Sequence, residues 1–140
     1  MKKIVDIATY IHGHLGPFLV LGLKAGQLAI ELIGRDPMKS HAGFKLPLKR
    51  PYTCFIDGFM ICTGCTPGKL NLEVEESSDG IMVRYLCGDQ HIIIRVREEV
   101  LREVLSKLAS GIDSRTLAFQ TLKLPDNLLF EYSTNRVEKK

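Results

Sequence analysis

Leu70-Asn71-Leu72-Glu73-Val74-Glu75-Glu76-Ser77-Ser78-Asp79-Gly80-Ile81-Met82-Val83-Arg84-Tyr85-Leu86-Cys87-Gly88-Asp89-Gln90-His91-Ile92-Ile93-Ile94-Arg95-Val96 is where the hydrophobic period of this chain changes to two. Leu70, Leu72 and Val74 alternate with polar neighbours, and Ser77 to Gly80 is a turn. Ile81, Val83, Tyr85 and Cys87 alternate again, Gly88-Asp89 turns the chain, and Ile92, Ile94 and Val96 follow. Side chains on a strand alternate between faces, so this pattern predicts three strands, each burying one face, joined as an antiparallel meander. Glu73, Glu75 and Glu76 belong to the wet face and its turn.

On either side the period is helical. Upstream, Ile4, Ile7, Ala8 and Ile11 mark a short amphipathic helix. Two glycines and Pro17 break it, and Pro17 suits the first turn of a second helix running to about Gly34. Lys24, Gln27 and Glu31 form one polar stripe on that otherwise apolar helix, while Gly22, Ala25, Gly26 and Ala29 form a small-residue face for close packing. Phe44, Leu46 and Leu48 suggest a strand in the looser Arg35–Pro51 stretch, and a buried helix is expected over Thr53–Cys62. Downstream, Val100, Leu101, Val104, Leu105 and Leu108 predict a helix over Glu98–Ala109. Gly111 ends it, and Asp113 or Ser114 can cap a final helix through Leu122. The expected fold is α+β: an antiparallel meander sheet packed against several helices, one of them long, buried and rich in Gly and Ala. A single domain is expected over residues 1–132, with a polar, frayed tail at 133–140.

Composition removes several function classes. Nineteen basic against sixteen acidic residues leave a net charge of only +3, with no clustered basic patch for nucleic acid. The most apolar stretch carries Lys24, Gln27 and Glu31, which argues against a membrane span. Asp6 interrupts any signal-peptide core after Lys2-Lys3. A soluble, cytoplasmic protein is expected, with its cysteines reduced.

Four Cys and four His are many for 140 residues. His12-Gly13-His14 lies in a Gly/Pro turn, where two histidines can approach one point that a continuous helix would deny them; the plain alternative is a pair of capping or partly exposed histidines. Cys54 and Asp57 share a helix face, Cys62 lies at its edge and Cys65 falls in the turn beyond. A thiolate, a carboxylate and an imidazole suit zinc or a similar metal. Cys62-Thr63-Gly64-Cys65 has the spacing of a redox dithiol or half a zinc knuckle, but lacks the surroundings of either. Cys87, and by preference Cys62, read as small core hydrophobes. Gly64 to Lys69 falls short of a phosphate loop: three residues separate its glycines, and Leu70 stands where Ser or Thr should hold magnesium. Lys69 is at most a weak contact for an anionic ligand.

Two of these motifs resemble a known family. His12-Gly13-His14-Leu15-Gly16-Pro17-Phe18-Leu19-Val20-Leu21-Gly22 looks like the N-terminal signature of the FmdE-like family, which takes its name from formylmethanofuran dehydrogenase. Cys54, Asp57-Gly58, Thr63-Gly64-Cys65-Thr66 and Gly68-Lys69-Leu70-Asn71-Leu72 resemble its second signature. The resemblance covers roughly residues 1 to 110. It implies an α+β domain that forms intertwined homodimers, with a cleft where the histidine turn meets the cysteine segment. It also implies His14, Cys54 and Cys65 as the site candidates, with His12 and Asp57 next. Read as a metal site, the first three are the expected ligands of a zinc-type ion, with His12, Asp57 and Cys62 as further ligands or supports. Many family members carry Cys where this chain has Gly16, which would leave the site one thiolate poorer. The C-terminal zinc-ribbon domain of other members is not expected here.

Three functions follow as expectations. The first is a metal-binding accessory protein of one-carbon or molybdenum/tungsten enzyme metabolism, associated with a formylmethanofuran dehydrogenase-type or other molybdenum/tungsten enzyme. The second is a stand-alone zinc- or thiolate-dependent enzyme acting on a small molecule. The third is a dimeric scaffold with structural thiols.

Overall fold

The long apolar run after Pro17 becomes the middle layer of the molecule. In the computed structural model, which describes residues 2–136, α1 (Lys2–His12) is followed by α2 (Pro17–Ile33), β1 (His41–Leu46) and α3 (Cys54–Thr63). A short 3-10 turn at Pro67–Lys69 leads into β2 (Leu72–Glu76), β3 (Met82–Cys87) and β4 (Gln90–Val96). The chain continues through α4 (Glu98–Ala109), α5 (Ser114–Lys123), α6 (Asp126–Leu129) and β5 (Phe130–Arg136). The fold is α+β, as the change of period predicts.

A helix that is apolar all round must be covered all round. On one side of α2, Phe18, Leu21, Ala25 and Leu28 join a core with Phe44, Val83, Tyr85, Ile92 and Ile94 of the sheet. On the other, Leu19, Val20 and Leu23 pack with Val5 and Ala8 of α1, Leu15, Cys62 and Ala118. The contact with α3 is closest. A Cβ on Gly22 would stand 2.1 Å from the Phe55 carbonyl oxygen, and one on Gly58 2.2 Å from the Leu19 oxygen. The small-residue face of α2 is therefore spent within the chain, on backbone-to-backbone packing that any side chain would block. Phe59 then reaches past α2 to meet Phe44 and Tyr85 edge-on, with centroids 5.4 and 5.7 Å apart.

The sheet corrects the expected meander. β3 and β4 pair antiparallel as expected, but β2 does not pair with β3. The order is β2-β1-β3-β4-β5, with β1 antiparallel to β3 and parallel to β2. β1 takes the inner position because Ala42, Phe44 and Leu46 are all buried. β2, with Glu73, Glu75 and Glu76 exposed, blunts the edge. β1 also starts earlier than the Phe44–Leu48 alternation suggests and stops before Pro47, which has no N–H to give a ladder.

The tail expectation is corrected too. Residues 133–136 are not frayed: they complete β5, paired antiparallel to β4 from Phe130↔Val96 to Arg136↔Gln90. Residues 137–140 of the expected tail lie outside the described residues. α5 is capped as expected, the Asp113 carboxylate accepting from the Thr116 N–H at 3.0 Å, but α6 makes it the penultimate helix. No helix among the described residues is long and apolar enough to cross a membrane.

Candidate functional site

Four helix ends meet at the turn after α1. Gly22 and Gly26 of α2 pack on Phe55 and Cys62 of α3, so the two helices run the same way. α5 runs with them: Ser114 at its start lies beside Gly16, and Lys24 Nζ donates to the Leu122 and Leu124 carbonyls at its far end, at 3.0 and 2.7 Å. The N-termini of α2, α3 and α5 thus gather where α1 ends in His12. Gly13, at φ +103°, turns the chain in a conformation that favours glycine.

This turn brings His12 onto α3. His12 Nδ1 stands 2.5 Å from Asp57 Oδ2, with the His12 side chain 11% and the Asp57 side chain 40% exposed. A carboxylate at this position in the first turn of α3 also suits the positive end of the helix dipole. The carboxylate engages Nδ1, which leaves Nε2 as the ring nitrogen without this partner. The His14 ring lies 5.3 Å from that of His12, tilted by 38°. A Cβ on Gly16 would come within 3.6 Å of His14 Nε2 and 2.8 Å of Ser114 Oγ. Position 16 therefore faces His14 directly. Cys54 opens α3 at the same end. Burial, and then the Asp57 carboxylate, push its thiol up against a smaller opposing pull from Arg50, so it is a neutral thiol at ordinary pH.

The other end of α3 uses its thiols differently. Cys62 donates its S–H to the Leu23 carbonyl at 3.2 Å, and burial raises its pKa to about 11. Gly64, left-handed at φ +81°, closes the helix, and Cys65 behind it is fully buried with Sγ 3.3 Å from Ser40 Oγ. Lys69 folds back on its own turn, donating to the Gly64 carbonyl at 2.6 Å and to Thr66 Oγ1 at 2.9 Å. The buried Asn71 fastens this end to the Pro37–Ser40 loop, donating to both of those carbonyls and accepting from the Thr66 N–H. Cys87 is half-buried beside Gly34.

The residues expected as one site thus divide into two groups. His12, His14, Asp57 and Cys54 cluster at the start of α3, and Cys62, Cys65 and Lys69 at its end. The nine steps of about 1.5 Å from Cys54 to Thr63 separate the two ends of α3 by roughly 14 Å along the axis, and Cys65 lies past the far end. Two thiolates on one zinc each sit about 2.3 Å from it, so Cys54 and Cys65 of one chain cannot share an ion. Among the described residues no group of three or more His, Cys, Asp or Glu is placed to hold a metal. The residues of a single chain therefore do not fit a closed zinc site. Ser40 and Ser114, which touch Cys65 and face position 16, carry no motif that could announce them; Asn71 stands out only as a polar residue between Leu70 and Leu72.

Comparison with known proteins adds the family. A crystal structure of a tungsten formylmethanofuran dehydrogenase FmdE-like protein from Syntrophus aciditrophicus superposes with a TM-score of 0.67, covering 98% of this chain and 72% of that one. At 18% identity this is a likeness of fold. A probable S-adenosyl-L-methionine-binding protein of Archaeoglobus fulgidus is 36% identical over 74 residues, which make up 51% of this chain and 20% of that protein. The chain thus matches about a fifth of the length of this curated relative. Over residues 11–131, from the histidine turn to β5, the sequence matches the family described as FmdE, molybdenum formylmethanofuran dehydrogenase operon, and the chain belongs to that family.

Proposed function

We propose that this protein is a cytoplasmic accessory factor of FmdE type, working as a homodimer beside a formylmethanofuran dehydrogenase-type or other molybdenum/tungsten enzyme of one-carbon metabolism. The observation that carries this reading is the His12–Asp57 pair, held at 2.5 Å in the part of the chain where the family match begins. Helix packing fixes this pair, and His14 projects beside it into solvent. A zinc-type ion belongs to this reading only as a shared ligand, with His14 of one copy and donors of a second copy around it. The thiolate-enzyme alternative is less well supported: Cys54 is held as a neutral thiol, and Cys65 has no exposed surface.

The test is co-purification of tagged protein with the molybdenum or tungsten enzyme, alongside elemental analysis. Wild type should bring down that enzyme; His14→Ala should lose it at unchanged melting temperature, and Asp57→Asn should lose it with a melting temperature lowered by only a few degrees. About one ion per two chains, lost in His14→Ala, is the expected metal content. No enzyme recovered with wild type, or equal recovery with both variants, would remove the reading.

A further inference from the structure

A groove of about 530 Å³ runs between α1 and α5 and ends at the histidine turn. Its apolar walls include Val5, Tyr10 and Leu15 on one side and Phe119 and Leu122 on the other. Its closing end is formed by Leu15 and Arg115, the chain neighbours of His14 and Ser114. Two aromatic rings are left open to water along it, Tyr10 at 90% and Phe119 at 41% exposure. The space is of the size that holds small molecules.

The charges on the groove are asymmetric. Lys2 and Arg115 stand against one carboxylate, Asp6. Arg115 has no carboxylate within ion-pair distance among the described residues. Its guanidinium instead lies 5.4 Å over the Phe119 ring, so a cation and an aromatic face are presented together. An occupant that satisfies both needs a flat apolar body for the Tyr10 and Phe119 walls and a negative group for Arg115.

We infer that the α1–α5 groove is a binding site for a small organic anion with a planar aromatic body, laid with its anionic group at Arg115, next to the histidine turn. That a molecule so placed is handed to the turn rests on the function proposed above; binding in the groove does not. A neutral ligand would gain nothing from the exposed Arg115 and a cationic one would be repelled by it, and a second copy of the chain seated there is the competing occupant that the test separates.

The probe is anilinonaphthalene sulfonate, an aromatic anion that fluoresces when it leaves water, titrated into the folded protein. One saturable site is expected. Phe119→Ser, Tyr10→Ser and Arg115→Gln should each weaken it about tenfold or more at unchanged melting temperature. Arg102→Gln, which lines a separate cavity beside α4, should leave it unchanged. Tyr10 is so exposed that its variant will fold, which keeps the test decisive if Phe119→Ser does not. Equal binding by all variants, loss only in Arg102→Gln, or binding that falls as protein concentration rises would overturn the proposal, the last by assigning the groove to a second copy. His12→Ala should leave probe binding intact, so failure of the groove and failure of the accessory function are read separately.

Discussion

The two ends of α3 both carry residues expected of a site and use them in opposite ways. At its start, Asp57 faces His12 at 40% exposure, with His14 open to solvent beside them. At its end, Cys62 and Cys65 are buried, and their sulfurs lie 3.2 Å from a backbone carbonyl and 3.3 Å from a serine hydroxyl. A thiol in such a place is a small core side chain with a weak hydrogen bond, inert because its charged form is costly to bury. What separates a candidate site from packing here is therefore access to water and a charged partner, and residue type alone does not decide it.

The contrast can be broken at the waist that holds both ends. Gly58→Ala puts a Cβ 2.2 Å from the Leu19 oxygen, against backbone that cannot rotate away. A loss of about 3 kcal/mol in urea unfolding is expected, from overpacking. Gly22→Leu and Gly26→Leu should behave alike. Stability equal to wild type would mean the helices are not in contact at these glycines.

Alkaline pH should act on the buried thiols. Cys62 titrates at about 11 in the folded protein and at 9.0 unfolded. Its contribution is fully present below pH 9 and is lost as pH rises towards 11, because the unfolded chain releases this proton first. The expected loss is about 2 kcal/mol, reduced in Cys62→Ala, as followed by unfolding midpoints across that range. Burial raises Tyr85 and Cys54 as well, which adds to the same trend.

At the opposite end, Gly16→Cys should add a thiolate facing His14. The backbone there is extended, φ −140°, so any residue is tolerated, and Ser114 need only rotate its hydroxyl. Zinc affinity, measured against a chromogenic chelator, should rise about tenfold or more over wild type. No gain would show that position 16 and His14 do not converge in solution. The smallest effect is expected for Asp57→Asn. The partly exposed pair should be worth about 1 kcal/mol, with a cost that shrinks in high salt.

The helices are legible in the sequence because their signals are local. Pro17, Gly34, Gly64 and Asp113 stand at or beside helix ends, and the period of apolar residues fixes the rest. The strands are legible as strands but not as a sheet. Alternation tells which residues of β3 point inward, but in β2 it misleads, since Leu70 lies before the strand and both it and Val74 are exposed; nor does it carry any information that β1, about 30 residues before β2, inserts between them. β5 escapes a reading by periodicity because its polar residues outnumber Phe130 and Tyr132, as an edge strand allows. The site is half legible. The Gly13 turn and the Asp57 position are readable in sequence, and they do meet. Motif spacing groups Cys65 with them, although the length of α3 keeps it away.

The sequence by itself determined that this is an α+β chain with a central apolar helix, a histidine turn before it and small residues where another backbone must approach. These follow from periodicity, turn chemistry and the absence of side chains at glycine, all of which act over a few residues. Tertiary structure alone decided which strand sits inside the sheet, that His12 reaches Asp57 across forty-five residues, and that the cysteines part company along α3. Those outcomes depend on helix lengths and on competition for buried surface, quantities that exist only once the whole chain packs.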